Sequence, residues 1–325
     1  MFSFGKAPLV GLDIGSTMLK AVALKKKRDG VFLDSAGTAP MPAGALSDGA
    51  FLDPPAIADC IRQLWRDQRL RSKRVALALA GEGVFLTRLK LERGASDLEA
   101  QVREEAARLA PFPLDEARLD YQVLDNFSDS CWVSALVVAA RSRRVENLRD
   151  LATRAGKTPL VVDSTACALA NAYEFNYEPA PSDVVALIHV GAAWMTVCVI
   201  RGSTPLLAQD LPLAPTEFTE EEWNLTDRIA VQLERVFEFM DEIADEHPLE
   251  PHSRQIRRLL LSGGGARLQG LDSVLRDRIQ LPFQEMDPFR KIEFEGSGAL
   301  SRLVQTHAHC MPVAVGLALR GLDEL

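Results

Sequence analysis

Residues 9–22 read LVGLDIGSTMLKAV, and residues 185–198 read VALIHVGAAWMTVC. Each is an apolar run, a glycine turn and a second apolar run, the pattern of two strands joined by a tight hairpin. Gly15 and Gly191 stand 176 positions apart, and the same offset carries Asp13 onto His189 and Lys20 onto Thr196. Both second strands run on into another turn and a third strand. In the first copy Asp29-Gly30 precedes residues 31–33; in the second, Arg201-Gly202-Ser203 precedes residues 206–208. Two β-meanders so far apart indicate a duplicated α/β domain rather than a solenoid, whose repeats are far shorter. A glycine turn in each copy places two hairpins across a cleft of nucleotide size.

Working outward, helix and strand patterns alternate. Ile57, Cys60, Ile61, Leu64 and Trp65 share one helical face, entered through Asp53 as cap and Pro54 in the first turn. Residues 75–80 read as a buried strand. A block then follows with a different order: strand 84–90, a helix capped at Ser96 with Leu98, Val102, Ala106 and Leu109 as its stripe, strands 119–124 and 132–140, and a helix over 143–155. The alternation resumes with strand 160–163 and helix 164–173, and residues 177–183 (YEPAPSD) form a linker. After the second meander, Ile229, Leu233, Val236, Phe237, Met240 and Ile243 make a helical stripe that ends before Pro248 and Pro251. Strand 258–261 enters Ser262-Gly263-Gly264-Gly265 ahead of a helix; strand 282–286 and a closing helix over 312–322 complete the pattern.

Bulk properties narrow the function classes. The 325 residues exceed one compact core and suit two domains. With 47% hydrophobic and 25% charged residues the chain is globular, and a net charge of −8 argues against a nucleic-acid binder. No apolar run approaches the roughly 20 residues that span a bilayer, and Met1 to Lys6 lack a secretory apolar region. Five scattered cysteines without a CxxC pair fit reduced thiols in cytoplasm.

Three loops carry candidate chemistry. Asp13-Ile14-Gly15-Ser16-Thr17 with Lys20 offers backbone N–H groups, hydroxyls, a cation and, in Asp13, a carboxylate able to hold Mg²⁺ through water. An ordinary polar hairpin would look the same. His189-Val190-Gly191-Ala192-Ala193 presents similar backbone with no hydroxyl before Thr196, and a histidine ending a buried strand reads as a core residue before it reads as a base. Ser262-Gly263-Gly264-Gly265-Ala266-Arg267 places three glycines between a strand and a helix N-terminus, enough to lie flat on an adenine or to donate to phosphate. Lys25-Lys26-Lys27-Arg28 at a hairpin tip reads as a solvated run, with an anionic membrane surface as the alternative. His307 and His309 beside Cys310 lack a fourth metal ligand.

Together these features resemble the actin, sugar kinase and Hsp70 superfamily and, within it, the PilM family of type IV pilus assembly proteins. The residues carrying the resemblance are Gly11 through Ser16; Val162-Asp163 before the helix; Leu261 through Leu271 (LSGGGARLQGL); Asp287-Pro288-Phe289; and Pro312 through Arg320 (PVAVGLALR). The block at 84–155 is similar to the 1C subdomain that this family shares with FtsA. The resemblance implies an actin-like, ribonuclease H-like duplicated fold: 1–83 and 156–180 as subdomain 1A, 84–155 as 1C, 181–213 and 257–310 as 2A, 214–256 as a reduced 2B, and 311–325 as a helix returning to 1A. It implies ATP with Mg²⁺ in the cleft, with phosphate-side roles for Asp13, Gly15, Ser16, Thr17, Lys20 and Gly191 and adenosine-side roles for Gly263, Gly264, Gly265 and Arg267.

Its implied partner is the N-terminal cytoplasmic tail of a PilN-like inner-membrane protein, lying between 1A and 1C, in a complex that couples cytoplasmic motor ATPases to the pilus apparatus. The location implied is cytoplasmic, peripheral to the inner membrane through that partner. Two departures stand out. The second hairpin of the family starts with Asp where His189 stands here, and Ala214-Pro215 replaces a Gly-Gly turn ahead of a shortened 2B segment. The expectation is therefore a scaffold without a catalytic residue, with ATP a structural ligand, weakly held or lost. An actin-like ATPase or small-molecule kinase, an FtsA-like filament former and a GspL-like secretion component are the alternatives.

Overall fold

Both quoted segments fold as antiparallel hairpins with the same register. In this computed structural model, which describes residues 8–47, 49–92, 97–124, 132–213, 224–246 (backbone alone from 241), 256–294 and 298–322, β1 (Val10–Ile14) pairs with β2 (Met18–Lys27), and Asp13 lies opposite Lys20. β3 (Gly30–Pro40) completes the meander. A two-residue pair, β4 (Leu46–Ser47) with β5 (Ala50–Phe51), leads to α1 (Pro54–Asp67) and β6 (Arg74–Leu79). The cap predicted at Asp53 forms: its Oδ1 accepts the Ala56 N–H at 3.0 Å, with Pro54 opening the helix and Ile57, Ile61, Leu64 and Trp65 buried.

The block of different order contains β7 (Val84–Glu92), α2 (Leu98–Leu109), β8 (Ala117–Leu124), β9 (Trp132–Arg141) and α3 (Ser142–Arg154). Its strands form a separate sheet in the order β7-β9-β8, with Val102 and Ala106 of α2 buried on one face. Asp97 caps α2 by accepting the Ala100 N–H; Ser96, the cap expected from sequence, lies outside the described residues, as do loop 125–130 and residues 214–223 and 247–255. The apolar face of α3 turns away from this sheet: Leu148, Leu151 and Ala152 share a core with α1 and β1. β10 (Thr158–Ser164) and α4 (Thr165–Tyr177) return the chain to the first sheet.

The second meander is β11 (Val184–Val190), β12 (Trp194–Arg201) and β13 (Thr204–Pro212), followed by α5 (Leu225–Glu246), β14 (Arg258–Ser262), α6 (Leu271–Arg278), β15 (Phe283–Glu285), β16 (Ile292–Glu293), α7 (Ala299–His307) and α8 (Pro312–Leu319). The duplication is written in the sheets. The first runs β10-β6-β1-β2-β3-β16 and the second β15-β14-β11-β12-β13, each central strand having its hairpin partner on one side and parallel strands on the other.

The last helix closes the first core rather than the second. All eight residues of α8 are buried, and it crosses β1 at Gly11 and α4 at Gly316. A Cβ on Gly11 would lie 2.0 Å from the Ala314 carbonyl oxygen, and one on Gly316 would lie 1.7 Å from that of Ala168. Only hydrogen at those two positions lets the backbones meet. Val313, Val315, Leu317 and Leu319 each gain roughly 1.5–3 kcal/mol from leaving water.

Candidate functional site

The two glycine hairpins face one cavity of about 520 Å³, a size ordinary for small-molecule sites. Asp13, Gly15, Ser16, Thr17 and Lys20 line it from the first hairpin, Gly191 to Trp194 from the second, and Gly264 and Gly265 from the glycine run. The turns are twins: the Gly15 N–H donates to the Met18 carbonyl at 3.1 Å, and the Gly191 N–H to the Trp194 carbonyl at 2.9 Å. Their side chains differ. Lys20 Nζ sits 2.9 Å from Asp13 Oδ2 with both groups mostly covered, so the first hairpin holds an internal ion pair. At the matching place in the second, His189 is buried with Nδ1 3.0 Å from Ser262 Oγ. Burial first, then the nearby Lys20 charge, pushes the imidazole down to about 4. A neutral ring with a hydroxyl partner is the core histidine that the sequence favoured.

The glycine run divides in two. Gly263 has φ +87°, and a Cβ there would meet the Val190 carbonyl at 2.3 Å; one on Gly265 would meet Val190 Cγ1 at 2.3 Å. Those two glycines let β14 pack against the end of β11. Gly264 has open space where a side chain would stand, and its backbone faces the cavity. No α-helix starts at these glycines, contrary to the sequence reading: a single 3₁₀ turn over Gly264–Arg267 intervenes, and α6 begins after Gly270, whose αL conformation breaks the run. Gly263 and Arg267 are not on the cavity wall. The Arg267 guanidinium makes two 2.7 Å hydrogen bonds to Glu285.

A junction that sequence reasoning missed joins the two halves beside the cavity. Residues 80–83 connect β6 to β7. The Gly81 N–H donates to Asp210 Oδ2 of β13 at 2.8 Å, and Thr196 Oγ1 donates to the other carboxylate oxygen at 2.5 Å. Burial pushes the Asp210 carboxyl up to about 6 against the pull of these two donors and of the Arg144 charge. Gly81 has φ +79°, and a Cβ there would lie 2.6 Å from Cε2 of Trp194. Arg144 of α3 donates to the carbonyls of Ala80, at 2.9 Å, and Glu82. Trp194 and Asp210 from one half and Arg144 from the other thus fix this connection.

Residues 11–236 and 246–322 match the family model described as type IV pilus assembly protein PilM. The chain belongs to the PilM family. Over 98% of its length and 99% of the other chain it is similar, at 27% identity and a TM-score of 0.80, to a solved structure of a PilM-PilN type IV pilus biogenesis complex. More distant likenesses show the fold alone. One is the ethanolamine utilization protein EutJ of Carboxydothermus hydrogenoformans (12% identity, 98% of this chain and 91% of that one, TM-score 0.50). Another is a Bacteroides thetaiotaomicron protein with an actin-like ATPase fold (11% identity, 89% and 95%, TM-score 0.51). The PilM-family chain is thus a mixed α/β protein of actin-like fold, as the meanders and the PVAVGLALR ending led us to expect. Among its described residues no helix is long and apolar enough to cross a membrane, and no three His, Cys, Asp or Glu side chains are grouped as metal ligands.

Proposed function

We propose that this PilM-family chain is an adaptor of type IV pilus assembly that binds the N-terminal cytoplasmic tail of a PilN-like inner-membrane protein, with ATP as a structural ligand at most. The observation that carries the reading is end-to-end similarity to a PilM-PilN complex. A second cavity, of about 220 Å³, lies between the inserted block, the start of α4 and the second sheet: Val84, Phe85 and Leu86 of β7, Pro111, Ser164 and Ala166 line it together with Ala208 to Leu211 of β13, a partly apolar wall able to take side chains of an extended peptide.

The main cavity accommodates a nucleotide better than a metal. Gly15, Ser16, Thr17 and the open backbone at Gly264 supply donors for phosphate and a flat surface for a base. Lys20 would supply charge by leaving Asp13. Gly191 adds backbone, while Gly263, Gly265 and Arg267 serve the nucleotide only by holding the loop. For Mg²⁺ the donor set is thin: Asp13 is the single carboxylate among the described lining residues, and it is released to hold Mg²⁺ through water only when Lys20 turns to the phosphate. The position that would supply a second carboxylate is a neutral histidine. We therefore place no catalytic residue here and derive no hydrolysis step.

Titration of the purified chain with a peptide copying the tail of its PilN-like partner, with and without ATP, tests the reading. Saturable binding is expected in both conditions. Absence of binding in both overturns the adaptor assignment, and steady phosphate release abolished by Asp13→Ala would restore an ATPase.

A further inference from the structure

The first sheet has two unlike ends. β1, β3, β6, β10 and β16 run in one direction, and β2 runs against them. The cavity lies at the carboxyl ends of β1 and β6. At the opposite end stand six of the nine lysines of the chain (Lys25, Lys26, Lys27, Lys73, Lys157 and Lys291). They enter from separate places: the β2–β3 hairpin, the approach to β6, the approach to β10 and the approach to β16. Arg28 and Arg71 join them, both exposed. The sheet topology assembles this edge; only its hairpin part is a run in the sequence.

Some of these charges are neutralised locally. Lys25 meets Asp34 at 3.2 Å, and Lys291 pairs with Glu178. Lys26, Arg28, Arg71 and Lys73 meet no carboxylate among the described residues, although Asp29 and Glu293 lie on the same edge. Lys157, stacked 4.1 Å over Trp65, is pushed down to about 8, by burial first and then by the neighbouring charges of Lys73 and Arg62. Beside it Leu160, 46% exposed, is an apolar side chain in water. In a chain of net charge −8 such an edge is not a sample of the general surface.

We propose that this edge is a docking surface for an anionic phospholipid bilayer. Six strands at about 4.8 Å spacing make a front about 24 Å wide. A flat anionic surface can touch that front while the acidic remainder of the molecule stays in water. Bases would need exposed aromatic rings to stack on, and among the described residues this edge has none. Lysines as mobile point charges, with one apolar side chain among them, suit a headgroup layer. The edge is roughly 16 Å from the cavity, the length of β1, which exceeds the Debye length at physiological salt. Bilayer contact therefore needs no ligand in the cavity. The inference goes beyond the adaptor reading and does not depend on it, because no partner takes part in the test.

Co-sedimentation of the full chain with phosphatidylcholine vesicles, with and without added phosphatidylglycerol, decides the matter. Binding to the anionic vesicles alone is expected, weakening as salt is raised. At about 1 kcal/mol per basic residue near the surface, Lys26→Ala with Arg28→Ala should lower partitioning roughly thirtyfold, as should Arg71→Ala with Lys73→Ala. All four side chains are exposed or at a turn, so melting temperature should be unchanged. Removing Arg103 and Arg108 from α2 should leave binding intact. No binding to anionic vesicles at low salt overturns the proposal, as does binding that survives both double substitutions. Preferential binding of duplex DNA over vesicles, lost in the same variants, would assign the edge to nucleic acid instead.

Discussion

Asp210→Asn and His189→Asn should tilt stability against pH in opposite directions. The Asp210 carboxyl rises from an ordinary 3.8 to about 6 in the folded chain, so between those values the folded state binds more protons than the unfolded one. The stability it carries is complete below 3.8 and is lost as pH rises through 6. At 1.36 kcal/mol per pH unit the loss is at most about 3 kcal/mol, an upper bound because the residue is not wholly sealed from water. His189 falls from 6.5 to about 4. Its stability is complete above 6.5 and is lost as pH falls through 4, again by about 3 kcal/mol. In the parent chain the two slopes largely cancel. Asparagine at 210 keeps an oxygen for the Gly81 N–H and cannot ionise, so relative to the parent it should gain up to about 3 kcal/mol between pH 4 and 7. Asparagine at 189 can still donate to Ser262 and should gain relative to the parent as pH falls over the same window. Urea unfolding followed by circular dichroism at half-unit pH steps measures both differences. Two flat differences would refute the burial and charge argument at this junction.

Other substitutions test the packing. Gly316→Val would drive a side chain into the Ala168 carbonyl and should cost more than about 4 kcal/mol or prevent folding, read from expression and melting temperature. Gly263→Ala should destabilise strongly, from positive φ and contact with Val190. Gly264→Ala should leave the melting temperature within a degree or two while weakening any nucleotide affinity measured by calorimetry. Gly81→Ala should separate the second hairpin from the first domain and raise the fluorescence exposure of Trp194 to quenchers.

Much of this fold was legible because its signals are local. Alternating apolar residues and a glycine turn set the hairpins, and the shared offset set their equivalence before any sheet was seen. Asp53 and Pro54 announced α1 for the same reason. The glycine run misled in part, because glycines needed for contact with Val190 look the same in sequence as glycines needed for a ligand. Only the open space at Gly264 separates them. Asp210 did leave a trace, a lone carboxylate inside Leu206-Leu207-Ala208-Gln209-Asp210-Leu211, but its partner Gly81 is 129 residues away. Arg144 was hidden similarly, since an arginine in the first turn of a helix reads the same whether it faces solvent or a neighbouring loop. The basic edge needed parallel strand order to bring four separate segments together.

The seating of α8 constrains the order of events on the ribosome. Many two-domain chains complete their first domain while the second is still being made. Here the central strand of the first sheet meets residues 314–318 through Gly11, so the amino-terminal half waits with an unfilled slot until the second meander and α8 have emerged. During that interval the apolar faces of β1 and α4 that later receive Val313, Val315 and Leu317 are open to water and to chaperones. A nascent chain arrested before residue 312 should therefore be protease-sensitive throughout its first half, and the two halves should become resistant together.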